Sequence, residues 1–380
     1  MASDASAHLQ SAFAAQDEIF RVPFAIIKEA IANRAFPAAS VAVTHQGKWI
    51  ALKALGTAIY IDGSGLKQGA NWDVTEHTLF DLASLTKVVA TTPMAMLLYQ
   101  RGLLDLDAPV AAIVPEFISD QKKDPRRREI TIRMLLAHSS GLPAYEKLFL
   151  KAGTRKELLQ AAFTTPLVAN PCARSEYSDL GFIVLGVALE RLADEPLDRF
   201  CQREIFAPLA MIDTTFNPPE EIRSMIPPTA NDLTVRNRII QGEVQDENAS
   251  VLGGVAAHAG LFSTARDLAK FAHALLNPSQ IFRPETVRLF NRRELAPAGT
   301  SRALGWDTPS TPSQSGKYLS PASYGHLGYT GTSLWIDPTR QLSVTLLTNR
   351  TWPDCKNQAI KQIRPLFHNA IIEALQLTGK

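Results

Sequence analysis

A serine and a lysine three positions apart, Ser84 and Lys87, open the apolar run at residues 80–98. On a helix, positions i and i+3 share a face, so the lysine amine can reach the serine hydroxyl. At a first helical turn the serine N–H is one of the unpaired donors, in the positive field of the helix start. That field favours an alkoxide on Ser84 and a neutral amine on Lys87. Apolar neighbours Val88 and Val89 lower the lysine pKa further by desolvation. A nucleophile, a base and an oxyanion donor then fit within one turn, which is the equipment of acyl transfer. The spacing recurs at Ser64/Lys67, in a glycine-rich loop, and at Ser119/Lys122, beside a charge run. Neither opens an apolar helix, and both read as loop residues.

Two further segments carry chemistry. Tyr177-Ser178-Asp179 sets a phenol and a carboxylate two positions apart, just ahead of the apolar helical pattern of Leu180, Ile183, Val184 and Val187. The stretch at 324–334 contains His326, Gly328 and Tyr329 in an unusual density of glycine, opening a strand. Glycine weakens a strand, so it marks close approach of a ligand or another backbone. His138 and His258 lie in loops and read as structural. No metal-binding helix motif, phosphate loop, dinucleotide fingerprint or Gly-x-Ser-x-Gly elbow is present, so no metal and no cofactor is expected.

These groups need a scaffold. Phe24, Ile27 and Ile31 recur at helical spacing, and residues 39–44 alternate as a strand that turns at Gln46-Gly47 and returns over 49–56. Pro93 should kink or break the helix after Ser84. From about 131 to 290 the pattern is mostly helical. It includes a short helix around Ile132, Leu135 and Leu136, and a capping box at Thr264/Asp267. After a Pro- and Ser-rich stretch at 296–321, Leu334 and Ile336, then Leu342, Val344 and Leu346, alternate around a turn at 337–340. A helix from about Asn357 follows, with Pro365 inside it. The expected fold class is α/β (α+β): one antiparallel sheet flanked by N- and C-terminal helices, plus an all-helical domain. The expected divisions are a tail at 1–18, a discontinuous sheet domain from 19–83 and 318–380, and a helical domain at 84–317. Ser84 falls where the two domains meet, a common place for a pocket.

Composition narrows the function. The chain has 380 residues, 46% hydrophobic and 20% charged, with a net charge of +2. That is an ordinary globular composition. So small a charge gives no case for nucleic acid or a membrane surface, and the one dense basic run, 122–128, reads as an exposed loop. No apolar run is long enough to span a bilayer. Three widely spaced cysteines, Cys172, Cys201 and Cys355, suggest no disulfide framework, and the first twenty residues lack a basic leader and apolar core. A cytoplasmic location is the expectation, unless a leader has been removed.

The order Ser-Leu-Thr-Lys at 84–87, Tyr-Ser-Asp at 177–179 and His-Leu-Gly at 326–328 resembles the three motifs of the serine β-lactamase and penicillin-recognising superfamily, written SxxK, YxN and KTG or HxG. The likeness is greatest to the branch of class C β-lactamases, DD-peptidases and class VIII carboxylesterases, and runs from about residue 20 to 377. The blocks at 135–143, 253–263 and 331–338 support it. The resemblance implies that Ser84 attacks a carbonyl and forms an acyl-enzyme, that Lys87 and Tyr177 share the proton transfers, and that the N–H of Tyr329 joins that of Ser84 in an oxyanion hole. His326 and Gly328 would line the substrate strand, opposite Tyr177. A second register, through Thr330-Gly331, is also open for the third motif. The implied substrate is a small ester, amide or β-lactam.

Two departures matter. Asp179 replaces the motif asparagine, and an ionised carboxylate cannot donate a hydrogen bond to substrate. Beside Lys87 it should favour the ammonium, leaving Tyr177 as the working base. His326-Leu327 replaces Lys-Thr, removing the hydroxyl and fixed charge that would grip a β-lactam carboxylate. Esters or small amides are therefore expected ahead of β-lactams or D-amino-acid peptides, with acyl transfer to an acceptor other than water and a catalytically silent binding module as the further alternatives.

Overall fold

Alternating apolar residues near both ends of the chain build one sheet. The computed structural model describes residues 9–60, 71–118, 124–277 and 281–378. The serine–lysine pairs at 64/67 and 119/122, and the start of the basic run, lie outside them. Strands β1 (Gln10–Ser11), β2 (Ala38–His45) and β3 (Lys48–Gly56) come from the N-terminal segment. The middle supplies only short strands: β4 (Phe80–Asp81), β5 (Thr215–Phe216), β6 (Ala230–Asp232), β7 (Arg238–Ile240) and β8 (Leu261–Ser263). Strands β9 (Tyr324–Leu327), β10 (Ser333–Asp337) and β11 (Leu342–Thr348) complete the set.

The main sheet runs β1-β3-β2-β11-β10-β9. Every pairing is antiparallel except that of β1, which lies parallel to β3 at the edge. β2 and β11 join the two halves in register, Val43 opposite Val344, and His326 of β9 lies opposite Leu334 of β10. Between the halves the chain is helical apart from the three-stranded β4-β8-β5 and the β6–β7 hairpin.

Both faces of the sheet are covered, so its strands alternate between two cores. One face presents Val41, Val43, Trp335 and Val344 to the helices Arg21–Ala32 and Ile360–Ala374, through Phe24, Ile27, Phe367 and Ile371. The other presents Ala42, Leu334, Ile336 and Leu347 to the amphipathic helix Ala265–Leu276 and the segment after Ser84. Each fully buried Leu, Ile, Val or Phe contributes about 1.5–3 kcal/mol. Pro365 sits inside the Ile360–Ala374 helix without interrupting it.

Three local expectations need correcting. The run after Ser84 is not broken at Pro93: it winds as a 3-10 turn (Ala83–Leu85), a π-helical segment (Lys87–Thr91) and then an α-helix (Thr92–Gln100). Pro93 stands in the first turn of the α-helix, directly after the π-helical segment. The Thr264 hydroxyl does cap Asp267, but the carboxylate of Asp267 does not return the bond. It accepts instead from the Asp213 N–H and the Thr214 hydroxyl, because it is wholly buried against them. Within the basic run, Arg127 is buried and donates to the Phe163 carbonyl at 2.7 Å.

Candidate active site

Ser84 stands at the centre of the short 3-10 turn that follows β4. The residue before it, Ala83, is left-handed, with φ +46°. That conformation is costly for a residue with a Cβ, so the surroundings must impose it. They do so through Asp81, whose buried carboxylate accepts from the Ala83 N–H at 2.8 Å and the Gln245 N–H at 2.7 Å. Burial pushes the Asp81 carboxyl up to about 6, against those two bonds.

Lys87 is fully buried, one turn on. Its Nζ lies 3.1 Å from Ser84 Oγ, 2.7 Å from Asp179 Oδ1 and 2.8 Å from the His258 carbonyl. A neutral amine has two N–H donors and one lone pair. The carboxylate and the carbonyl can take the two donors, which leaves the lone pair for the Ser84 proton. The Tyr177 phenol donates to Ser84 Oγ at 2.6 Å, so Ser84 Oγ lies hydrogen-bonded between Tyr177 and Lys87.

Burial decides the electrostatics. It lowers the Lys87 pKa, and the Asp179 carboxylate, the largest opposing influence, does not restore it. The Tyr177 phenol is raised well above 10, by burial first and Asp179 second. The sequence-based expectation set the pull of Asp179 toward the ammonium against desolvation; the Asp179 contact is present, and burial is the larger of the two influences on Lys87.

Neighbouring elements fix these groups. Ser178 caps the helix Asp179–Ala193 by accepting from the Gly181 N–H at 3.0 Å, and donates to the Pro143 carbonyl at 2.7 Å. The Ser178 N–H in turn donates to His138 Nδ1 at 3.0 Å. The His138 ring packs 4.8 Å from that of Tyr177, and burial keeps it neutral. In the helix, Gly186 permits close approach of the loop ahead of β8: a Cβ there would lie 2.6 Å from that of Ala257. That loop is tied to the Ser84 segment by Lys87 on the His258 carbonyl and Thr91 on the Ala257 carbonyl.

β9 closes the other side. His326 is buried and lies 5.8 Å, ring to ring, from Tyr177, with Nδ1 2.8 Å from the Leu327 carbonyl. Burial holds it well below its ordinary pKa, with Lys87 and Arg302 acting the same way. Gly328 begins a turn pressed against the Ser84 segment; a Cβ would lie 1.9 Å from Thr332 Oγ1 and 2.5 Å from the Leu82 carbonyl. The Thr330 and Thr332 hydroxyls donate to the carbonyls of Asp81 and Leu82. Thr330 thus spends its hydroxyl on the backbone, while His326, Leu327, Gly328 and Tyr329 line the cleft. Among the described residues the Tyr329 N–H has no hydrogen-bond partner.

The structure thus gathers Ser84, Lys87, Tyr177, Asp179, His326, Gly328 and Tyr329 around one cleft of about 700 Å³, six at its lining and Lys87 just beneath. Sequence reasoning missed Arg302, whose guanidinium lies 5.6 Å from the Tyr177 ring, and Arg350 and Arg364 on the far wall. Arg302 comes from the Pro- and Ser-rich stretch and has no local pattern to reveal it. Among the described residues no group of acidic, histidine and cysteine side chains is disposed to hold a metal, and no helix is long and apolar enough to cross a membrane.

The mixed α/β structure, a mostly antiparallel sheet covered by helices on both faces, has the β-lactamase/transpeptidase fold. The chain belongs to the β-lactamase family, a serine hydrolase superfamily, and the family's profile matches residues 24–364. It is 32% identical over 347 residues to a putative D-alanyl-D-alanine carboxypeptidase of Escherichia coli K12, covering 83% of this chain and 79% of that one. It is 33% identical over 347 residues to an N-acetylmuramyl-L-alanine amidase of Bacillus subtilis 168, covering 83% and 77%. Among solved structures, EstCE1, a hydrolase with promiscuous acyltransferase activity, superposes with a TM-score of 0.75 at 20% identity, over 94% of this chain and 99% of that one.

Proposed function

We propose that the protein hydrolyses small carboxylic esters or amides through an acyl-enzyme on Ser84. The observation that carries this is the hydrogen-bonded chain from Tyr177 through Ser84 to a buried Lys87. Lys87 takes the serine proton as Ser84 Oγ attacks the carbonyl carbon. The N–H groups of Ser84 and Tyr329 receive the developing oxyanion. Tyr177, a neutral phenol, passes its proton to the leaving oxygen or nitrogen and is re-protonated from Lys87. Water then attacks the acyl-enzyme by the reverse proton path.

A second reading, cleavage of a D-alanyl peptide amide, is favoured by the naming of the E. coli relative. A chromogenic cephalosporin, a short p-nitrophenyl ester and a D-Ala-D-Ala peptide separate the readings, with intact-mass detection of an adduct on Ser84. Ester turnover without lactam or peptide turnover supports the first reading, and peptide turnover the second. No turnover and no adduct with any of the three would refute both.

A further inference from the structure

The lining of the cleft contains a buried cation that has no carboxylate partner among the described residues. Arg364 is 5% exposed, on the sheet-facing side of the Ile360–Ala374 helix. Its acceptors are all neutral: Gln314 Oε1 at 2.9 Å, the Gly328 carbonyl at 2.6 Å and the Thr332 carbonyl at 2.8 Å. Its Nε has no partner among the described residues. Burial, and the nearby Arg350 charge, push its pKa down to about 9, still cationic at neutral pH. An unpaired buried charge is costly, and a fold that needed only packing here would do better with an apolar side chain.

The two carbonyls it holds flank the turn at 328–332. Two other carbonyls of that turn are held as well. Tyr329 O accepts from Arg350 Nε at 2.7 Å, and Thr330 O accepts from the Thr348 hydroxyl at 2.9 Å. In a planar trans peptide the C=O and the following N–H point in opposite directions. A Gly328 carbonyl held by Arg364, and by the Gly331 N–H at 3.1 Å, therefore puts the Tyr329 N–H on the opposite side of that peptide, and Ser84, Gly328 and Tyr329 line one cleft.

We infer that Arg364 is a positioning residue for the oxyanion hole: it fixes the Gly328–Tyr329 peptide with its N–H aimed at the reacting carbonyl and leaves a positive charge behind that peptide. The charge finds its counterpart only when the substrate oxygen becomes negative. The cation and the N–H act through one peptide, so both effects favour the tetrahedral state over the bound substrate. This rests on the reading of Ser84 as nucleophile and Tyr329 N–H as an oxyanion donor.

The test begins with the wild-type protein and an activated p-nitrophenyl ester. A wild type that never acylates Ser84 refutes the underlying reading and is seen before any variant is made. Given acylation, Arg364→Met and Arg364→Lys are compared for kcat/KM, for affinity toward an alkyl boronic acid that mimics the tetrahedral oxyanion, and for affinity toward an unreactive ketone-free substrate analogue. Removing an oxyanion donor costs about 10²–10³-fold in kcat. Arg364→Met is expected to lose about 30- to 300-fold in kcat/KM and a parallel factor in boronate affinity, with analogue affinity within about threefold. Arg364→Lys, which keeps the charge but not the fork, is expected to fall between. Equal losses toward boronate and analogue, activity within about threefold of wild type, or loss of the folded state in both variants would overturn the inference, making Arg364 a stability residue.

Discussion

Asp179→Asn tests the proton path directly. The change keeps the size of the side chain but removes the negative charge 2.7 Å from Lys87 Nζ. An opposite charge at this range raises a lysine pKa by about one to three units. The Asp179 side chain is 15% exposed, and solvent screens part of the interaction, so about one to two units is the expected loss. The sign follows from which form works. If Lys87 must be neutral to accept the Ser84 proton, the acid limb of kcat/KM reports its pKa in the free enzyme. Removing Asp179 moves that limb about one to two pH units lower, and below the wild-type limb the variant gains up to about tenfold per unit. If instead Tyr177 is the base and needs an ammonium beside it, the same substitution pulls the alkaline limb down and activity is lost at high pH. A stopped assay with a p-nitrophenyl ester, read at one wavelength after adjustment to a common pH, gives the profile. An unmoved acid limb, or a collapse of the alkaline one, would refute Lys87 as the base.

Gly328→Ala should cost about 1–3 kcal/mol and most of the activity, because its Cβ meets the Leu82 carbonyl at 2.5 Å; urea midpoints and ester turnover check both. Ser178→Ala removes a helix cap and the donor to the buried Pro143 carbonyl; a stability loss of about 2 kcal/mol by urea denaturation is expected. His368 is buried between the Ser333 hydroxyl and the Gln314 carbonyl, and burial pushes its pKa down to about 3. The unfolded chain protonates it near 6.5, so its contribution is fully present above pH 6.5 and is lost as pH falls toward 3. Stability should fall by about 2 kcal/mol between pH 7 and pH 5 from this group, and His368→Gln should flatten that part of the urea-midpoint profile.

Ser84, Lys87 and Tyr177 were legible because short-range rules reached them. A serine–lysine pair at helical spacing ahead of apolar residues, and a tyrosine just before a helix cap, are local patterns. The sheet was legible for a similar reason: Leu334 and Ile336 face one core and Trp335 the other, as the alternation requires. Arg364 was not legible. It sits three positions before Phe367 on a face whose pattern calls for apolar residues, and charge alone argues for solvent. Only the three-dimensional position of the 328–332 turn explains it. The balance between desolvation and Asp179 at Lys87 was not legible for a related reason. Contact with Asp179 could be inferred from the motif order, whereas the depth of burial depends on the whole fold.

The pairing of β2 with β11 has a consequence for how the molecule is made. Ala38 is bound to the side chain of Asn349, 311 positions further along the chain. During synthesis the β2–β3 hairpin waits with one long edge bare until residue 348 has emerged, and non-local pairing of this kind is slow and exposed to misassociation. The turn at 328–332, which carries the Tyr329 N–H, arrives in that same late portion. A ribosome-bound chain can therefore hold Ser84, Lys87 and Tyr177 while the wall of the cleft formed by β9 and the 328–332 turn is still missing, and the cleft is complete only as the sheet closes.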